Sequence, residues 1–141
     1  MNKRYKYILI LIVISITFNN IAIAQLDSVM NRCESNLTNE FISDGQQYLS
    51  LITGDQVAEF SVLFYGGNTY RVIACGGNEK SDIVFVIYDK LRNELFNSMN
   101  FENTSYWDLQ FASTVECYVE AKLSDGNDNS GFAVLLIGLK K

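Results

Sequence analysis

The side chains of greatest chemical reactivity in this 141-residue sequence are three cysteines, Cys33, Cys75 and Cys117. A catalytic cysteine needs a neighbouring base that lowers the pKa of its thiol, and histidine is the usual one. The sequence contains no histidine, so the commonest zinc ligand is missing as well. The cysteines are therefore predicted to be structural, and the protein is predicted not to be an enzyme.

A second candidate site is the loop Asp125-Gly126-Asn127-Asp128-Asn129. Asp125, Asn127 and Asn129 place side-chain oxygens at alternate positions, as calcium-binding loops do. No glutamate follows at the position where it would close an EF-hand loop. A solvated hairpin loop without a cofactor is the favoured interpretation. A Ca²⁺ site at these three residues is the alternative.

Pairs of carboxylates, such as Glu116 with Glu120 or Asp82 with Asp89, supply the residue type that glycoside hydrolases use. Glu116 and Glu120 alternate with apolar residues in one segment, so both are expected to point to solvent from a strand. The chain also has a general excess of acids. A solvated acidic surface is therefore favoured over a carboxylate-based glycoside hydrolase.

Tyr106 and Tyr118 are the aromatic residues best placed to contact a ligand. Both have the outward parity on predicted strands, whereas Trp107 shares the inward parity of Leu109 and Phe111. Outward rings on a sheet can form a platform on which sugars stack. The two tyrosines are therefore candidate ligand-binding residues of a carbohydrate-binding module. Ordinary strand composition is the alternative.

The N-terminus has the three parts of a secretory signal peptide. A basic segment at 2–6 precedes the apolar run Tyr7 to Phe18, whose 12 residues are too few to span a bilayer as a helix. Ala22-Ile23-Ala24 then supplies the small-x-small pattern that signal peptidase cleaves. Cleavage before Gln25 is predicted, so the protein is expected to be periplasmic or extracellular. An uncleaved membrane anchor is the alternative.

Cleavage changes the charge of the chain. The first 24 residues carry three of the 11 basic residues and no acid, so the remaining 117 residues carry eight basic and 16 acidic side chains, a net charge of −8. Nucleic acids and anionic membrane surfaces both favour a basic partner. The processed protein is therefore predicted to bind neither, and another exported protein or a polysaccharide is the expected partner.

One amphipathic helix is predicted over 27–43. Asp27 or Ser28 can cap its start, and Asp44-Gly45 can end it. Its apolar residues recur at steps of three and four, which place them on one face. They are Leu26, Val29, Met30, Cys33, Leu37 and Phe41.

After Gly45 the apolar period changes to two, which predicts strands. The run Ile83 to Tyr88 is continuously apolar and is predicted to be covered on both faces. Turn signals separate the strands, which favours one antiparallel eight-stranded β-sandwich or jelly roll over residues 25–141. The predicted strands are 47–53, 57–65, 69–75, 83–88, 94–97, 106–111, 115–123 and 132–139.

These elements predict how the cysteines pair. Cys75 shares its parity with Arg71 and Ile73, on the side of the strand opposite the predicted core. The helix can lie there with Cys33 toward it, so a Cys33–Cys75 disulfide is predicted. Cys117 has inward parity and is predicted to be a buried thiol. A Cys75–Cys117 disulfide and three reduced thiols are the alternatives.

The segment from Thr69 onward resembles the small β-sandwich modules of the bacterial pre-peptidase C-terminal type. The resembling pieces are Tyr70-Arg71-Val72, Ile83 to Asp89 with Glu94-Leu95-Phe96, and Tyr106 to Phe111 with Cys117-Tyr118-Val119. Glu116-Cys117-Tyr118 lacks the glycine usual in those modules. With its Ala22-Ile23-Ala24-Gln25 junction, the chain also resembles short uncharacterised exported proteins of Bacteroidetes-type bacteria. The resemblance implies a non-catalytic accessory or protein-binding module, with a carbohydrate-binding module as the alternative.

Overall fold

The computed structural model describes residue 7 and residues 19–77, 83–124 and 130–141, with the side chains of 19–23 excepted. One α-helix, α1, precedes eight β-strands in these ranges. The elements are α1 (Asn19–Glu34), β1 (Phe41–Thr53), β2 (Val57–Phe64), β3 (Thr69–Gly76), β4 (Ile83–Asp89), β5 (Glu94–Asn97), β6 (Tyr106–Gln110), β7 (Val115–Leu123) and β8 (Ser130–Lys140), with a 3₁₀ turn at Ser98–Phe101.

The strands form two antiparallel four-stranded sheets. The first sheet has the order β1-β8-β3-β6, and the second sheet has the order β2-β7-β4-β5. The chain passes from one sheet to the other at every connection except the β4–β5 hairpin. This is the strand order of an eight-stranded jelly roll, which confirms the predicted fold class.

The main core lies between the two sheets and is built by strand alternation. In β2 the buried residues alternate with exposed ones. In β7, its neighbour in the same sheet, buried residues from Cys117 to Leu123 alternate with half-buried or exposed ones. Trp107 packs against this core as predicted, with its ring stacked 4.6 Å from that of Phe96. The largest fully buried side chains of this core are Phe64, Phe85, Ile52, Ile87, Leu135, Ile137, Val72 and Val119.

A second, smaller core lies on the outer face of the first sheet, where α1 packs. Val29 and Cys33 of α1 meet the outward side chains of β3 and β8. Both strands are therefore covered on two faces and read as nearly continuous buried runs. The run predicted to be covered on both faces, β4, is covered less completely, because Val86 and Tyr88 are only half-buried.

The predicted helix 27–43 is wrong at both ends. α1 begins at Asn19, so Asp27 and Ser28 lie inside the helix and do not cap its start, and α1 ends at Glu34. The side chains of Ser35 and Asn36 both donate to the Arg32 carbonyl, at 2.7 and 3.1 Å, and so satisfy a carbonyl that continued helix would have used. The chain then turns, and Phe41 begins β1. Leu37 packs against the smaller core and Phe41 is buried, so both continue the apolar spacing of the helix although neither belongs to it.

Gly45 also has a different role from the predicted one. It lies inside β1 with φ of 80°, at an irregularity in the pairing with β8 between Ser43 and Gln47. The Asp44 carboxylate accepts from the Gln46 amide at 2.8 Å within this bulge. Glycine is favoured there because other residues adopt positive φ only with strain.

The predicted disulfide agrees with the structure. The Cα atoms of Cys33 and Cys75 lie 5.6 Å apart, and their sulfur atoms are at bonding distance. The predicted cleavage point, between Ala24 and Gln25, falls within α1, and both Val29 and Cys33 lie after it. The apolar run at 8–18 lies outside the described residues. No helix in the described part of the chain combines the length and apolar character that crossing a membrane requires.

We predict that a Cys33→Ser/Cys75→Ser variant has a lower free energy of unfolding than the oxidised protein. The disulfide joins residues 42 apart in sequence, and a loop of that size stabilises by about 4 kcal/mol in the chain-entropy model. Denaturant unfolding with and without a reducing agent measures the difference. The reducing agent should lower the stability of the wild type and leave that of the variant unchanged; equal stability of the oxidised and reduced wild type contradicts the prediction.

Candidate functional site

Tyr106 and Tyr118, the predicted ligand-binding residues, lie on opposite sheets. Tyr106 is on β6, at the edge of the first sheet, and Tyr118 is on β7 in the second sheet. Each ring already has an arginine over it: the guanidinium carbon of Arg71 is 4.4 Å from the Tyr106 centroid, and that of Arg92 is 4.4 Å from the Tyr118 centroid. The two tyrosines therefore cannot form one platform.

The Arg71 guanidinium is held by a cluster of side chains on the outer face of the first sheet. It lies between the rings of Phe41 and Tyr106, 4.3 and 4.4 Å from their centroids. Its Nε and Nη2 donate to the two carboxylate oxygens of Asp108 at 2.7 and 2.9 Å, and Nη1 donates to the Asn36 carbonyl at 3.1 Å. This cluster joins β1, β3, β6 and the turn after α1, so its role is structural.

We predict that Asp108→Asn destabilises the fold by about 1–3 kcal/mol. The substitution removes the anion that pairs with Arg71, a residue that is only 9% exposed. Breaking a fully buried pair costs about 3–5 kcal/mol, and solvent access to Asp108 reduces that cost. Glu116→Gln is the control, because its ion pair with Lys90 is long and exposed and contributes at most about 1 kcal/mol. Equal denaturant midpoints for the two variants would contradict the structural role of Arg71.

The glutamates of the second sheet accept hydrogen bonds from neighbouring side chains. Arg92 donates to Glu59 at 2.8 Å and to Glu120 at 3.0 Å. Glu116 accepts from the Ser61 hydroxyl at 3.2 Å. Glu116 and Glu120 are four residues apart on one strand, which separates their Cα atoms by about 13 Å. Each of the two carboxylates already has its own side-chain partner, which is Ser61 for Glu116 and Arg92 for Glu120.

Two of the predicted sites include residues that lie outside the described ranges. Asp125, Asn127 and Asn129, the candidate calcium ligands, are all in that part of the chain, as is Asp82. Its predicted partner Asp89 is described, and its carboxylate accepts from the backbone amides of Leu91 and Asn93, both at 2.8 Å. Asp89 therefore stabilises the β4–β5 turn.

Cys117 is fully buried on the inward side of β7, as predicted. Burial raises the pKa of its thiol to about 11, with a smaller contribution from the nearby Asp89 carboxylate. The thiolate is the reactive form of cysteine. Cys117 therefore stays a protonated, apolar-like side chain at neutral pH.

We predict that the native protein leaves Cys117 unalkylated by iodoacetamide at pH 8, and that denaturant exposes it to labelling. The pKa near 11 in the folded state lies above the value of about 8.5 for an unfolded cysteine. The stabilisation from this group is therefore complete below about pH 8.5 and is lost as the pH rises toward 11. The difference in unfolding free energy between wild type and Cys117→Ala, measured from pH 7.5 to 10.5, should shrink; a constant difference would contradict this.

The structure adds a feature that the sequence does not indicate, which is the edge of the first sheet at β1. Residues 47–53 pair with β8 in one regular antiparallel register, and β8 is the only strand that β1 pairs with among the described residues. We call the side of residues 47–53 that faces away from β8 the β1 edge. No residue from Gln46 to Thr53 is charged. Leu49 and Leu51 are 47% and 62% exposed.

Beside the β1 edge lies a groove of about 530 Å³ between the helix and the strand, here named the α1–β1 groove. Its helix wall includes Leu26 and Met30, and its strand wall includes Leu49. The two charged residues that line it, Asp27 and Glu34, are both acidic and exposed. The groove therefore combines apolar side chains on both walls, negative charge and an adjacent strand edge that no other described strand pairs with. Sequence parity could not reveal it, because parity assigns a face but not the order of strands in a sheet.

No protein-family model matches this chain, and no curated protein matches it either. The similarity to pre-peptidase C-terminal modules and to exported Bacteroidetes-type proteins therefore stays a prediction.

Proposed function

We propose that the protein is a non-catalytic exported β-sandwich module that binds another exported protein through the β1 edge. The observation that carries this proposal is the seven-residue run 47–53, which is regularly paired on one side, uncharged, and includes the exposed Leu49 and Leu51. Backbone amides and carbonyls along a free edge are a ready template for another chain.

The other sheet edges support this choice of surface. Proteins commonly protect their edges by keeping the edge strand short or by placing charge on it. β5 and β6, the edge strands at the opposite side of the sandwich, have four and five residues. β2 carries the charged Glu59, which is held by Arg92. β1 is the longest strand, with 13 residues, and its regular half has neither protection.

Export is supported by two independent features. The N-terminal segment has the pattern of a signal peptide, and Cys33 and Cys75 lie at disulfide distance. Disulfides form and persist mainly in oxidising compartments such as the periplasm and the extracellular space. We propose a protein partner at the β1 edge rather than a polysaccharide, because the rings of Tyr106 and Tyr118, the candidate sugar-binding residues, are stacked under arginines.

We predict that a photo-crosslinking phenylalanine derivative placed at Leu49 or Leu51 yields a discrete covalent adduct with another exported protein in the cells that export this one. The same residue placed at Leu91, which is 81% exposed in the β4–β5 turn, should yield no adduct at the same light dose. Mass spectrometry of the adducts identifies the crosslinked chain. Adducts of equal yield at all three positions, or at Leu91 alone, would show that the β1 edge is not the binding surface.

A further inference from the structure

We propose that the partner presents an extended segment with basic side chains at alternate positions, which adds to β1 as a fifth strand of the first sheet. This inference rests on the proposed function and specifies its partner. An added strand gains affinity from main-chain hydrogen bonds, and it gains specificity where alternate side chains enter pockets. The β1 edge supplies the main-chain hydrogen-bonding groups, and the α1–β1 groove supplies the pocket for side chains.

The position of α1 decides which side chains of an added strand meet the groove. α1 packs on the outer face of the first sheet, over β3 and β8. Leu49 pairs with Val134 of this outer face, so its side chain points to the same side of the sheet as α1. An added strand would lie about 4.8 Å beyond β1. Its outward side chains, which are every second residue, would therefore be neighbours of Leu49 and the groove.

Reaching the acidic groups from there requires a long side chain. Lysine and arginine have an apolar stem that can cover exposed apolar surface while the charged end stays in contact with water. Such a stem would pack across Leu49 and Met30, and its cation would meet Asp27 or Glu34, which line the same groove. A short side chain would stop above Leu49. The groove therefore favours lysine or arginine over smaller residues.

The spacing of the two acids is compatible with more than one basic residue. Asp27 and Glu34 are seven residues apart on α1, which is two turns and about 10.5 Å along the helix axis. Residues on one face of a strand repeat every 6.6–6.8 Å or so. The separation of the two acids along the helix therefore lies within the range spanned by two cations on the same face of the added strand, two or four residues apart.

The same charges argue against a second copy of this chain as the occupant. Antiparallel pairing of β1 with β1 of another copy would bring two α1 helices to one face of a continuous sheet, each with its own Asp27 and Glu34. The β1 edge offers no base from Gln46 to Thr53 to offset them. Two chains that are both strongly acidic also repel one another over longer distances. Charge complementarity therefore selects a basic peptide.

The test is a selection of random nonapeptides displayed on phage against the processed, disulfide-bonded protein. We expect the enriched peptides to carry lysine or arginine at alternate positions, separated by β-branched or aromatic residues. Against an Asp27→Lys/Glu34→Lys variant, the enriched peptides should carry aspartate or glutamate instead. A basic peptide selected on the wild type should bind this variant about tenfold or more weakly. Enrichment of no peptide, or of the same peptides on both proteins, overturns the proposal.

Two further variants make the comparison specific. Glu94→Lys/Glu102→Lys makes the same change in net charge at the opposite edge of the sandwich, on exposed side chains, and should leave the basic preference intact. Asp27→Asn/Glu34→Gln removes the charge without reversing it and should abolish the preference for either sign. A preference that follows net charge alone, with the Glu94/Glu102 variant behaving like the Asp27/Glu34 variant, contradicts the groove as its origin.

N-methylation of alternate amides in a selected peptide tests strand addition itself. One set of alternate amides should abolish binding and the other should not, because only every second amide of an edge strand faces its neighbour. Equal tolerance of both sets overturns strand addition. If the selection fails while crosslinks form at Leu49 and Leu51, the proposed function stands and only this partner is wrong. An adduct with the mass of two copies identifies self-association and overturns the basic peptide.

Discussion

The first sheet depends on the contact between α1 and the outer faces of β3 and β8. In most antiparallel sandwiches one face of each sheet meets solvent, but Ile73, Val134 and Leu136 are buried on the outer face here. Without α1 these apolar side chains would form an exposed patch across two central strands. Val29 and Cys33 cover them, and the disulfide to Cys75 holds the helix in position. The same placement of α1 forms one wall of the α1–β1 groove, so the packing of the helix also creates the candidate site.

The Arg71 cluster fixes the turn between α1 and β1 against the first sheet. An aromatic ring lies against each face of its guanidinium, which donates to the Asp108 carboxylate and to the turn that leads from α1 into β1. An added Cβ at Gly138, which pairs with Arg71, would lie 2.6 Å from Leu37 and 3.2 Å from Phe41. The turn therefore lies directly against the sheet, and this fixes where β1 begins relative to β8.

Much of the fold could be predicted from the sequence because strand alternation reports burial directly. Seven of the strands end and begin within two residues of their predicted bounds, whereas β1 begins at Phe41, six residues earlier than predicted. Cys75 points toward the helix as its parity indicated. The end of α1 could not be predicted, because Leu37 and Phe41 continue the helical spacing after the backbone has left the helix. The prediction that Tyr106 and Tyr118 form one platform is wrong for a related reason. Parity places both residues outward, but it does not state that they belong to different sheets.

The burial of Cys117 has a consequence for how the protein acquires its covalent crosslink. A chain with three thiols can oxidise to three different pairs, and two of those pairs would require the central strand β7 to be accessible. Once the two sheets have packed, Cys117 is enclosed between them, whereas Cys33 and Cys75 meet on the outer face of the first sheet. When the sandwich forms before oxidation, burial of Cys117 therefore prevents both of the disulfides that would include it.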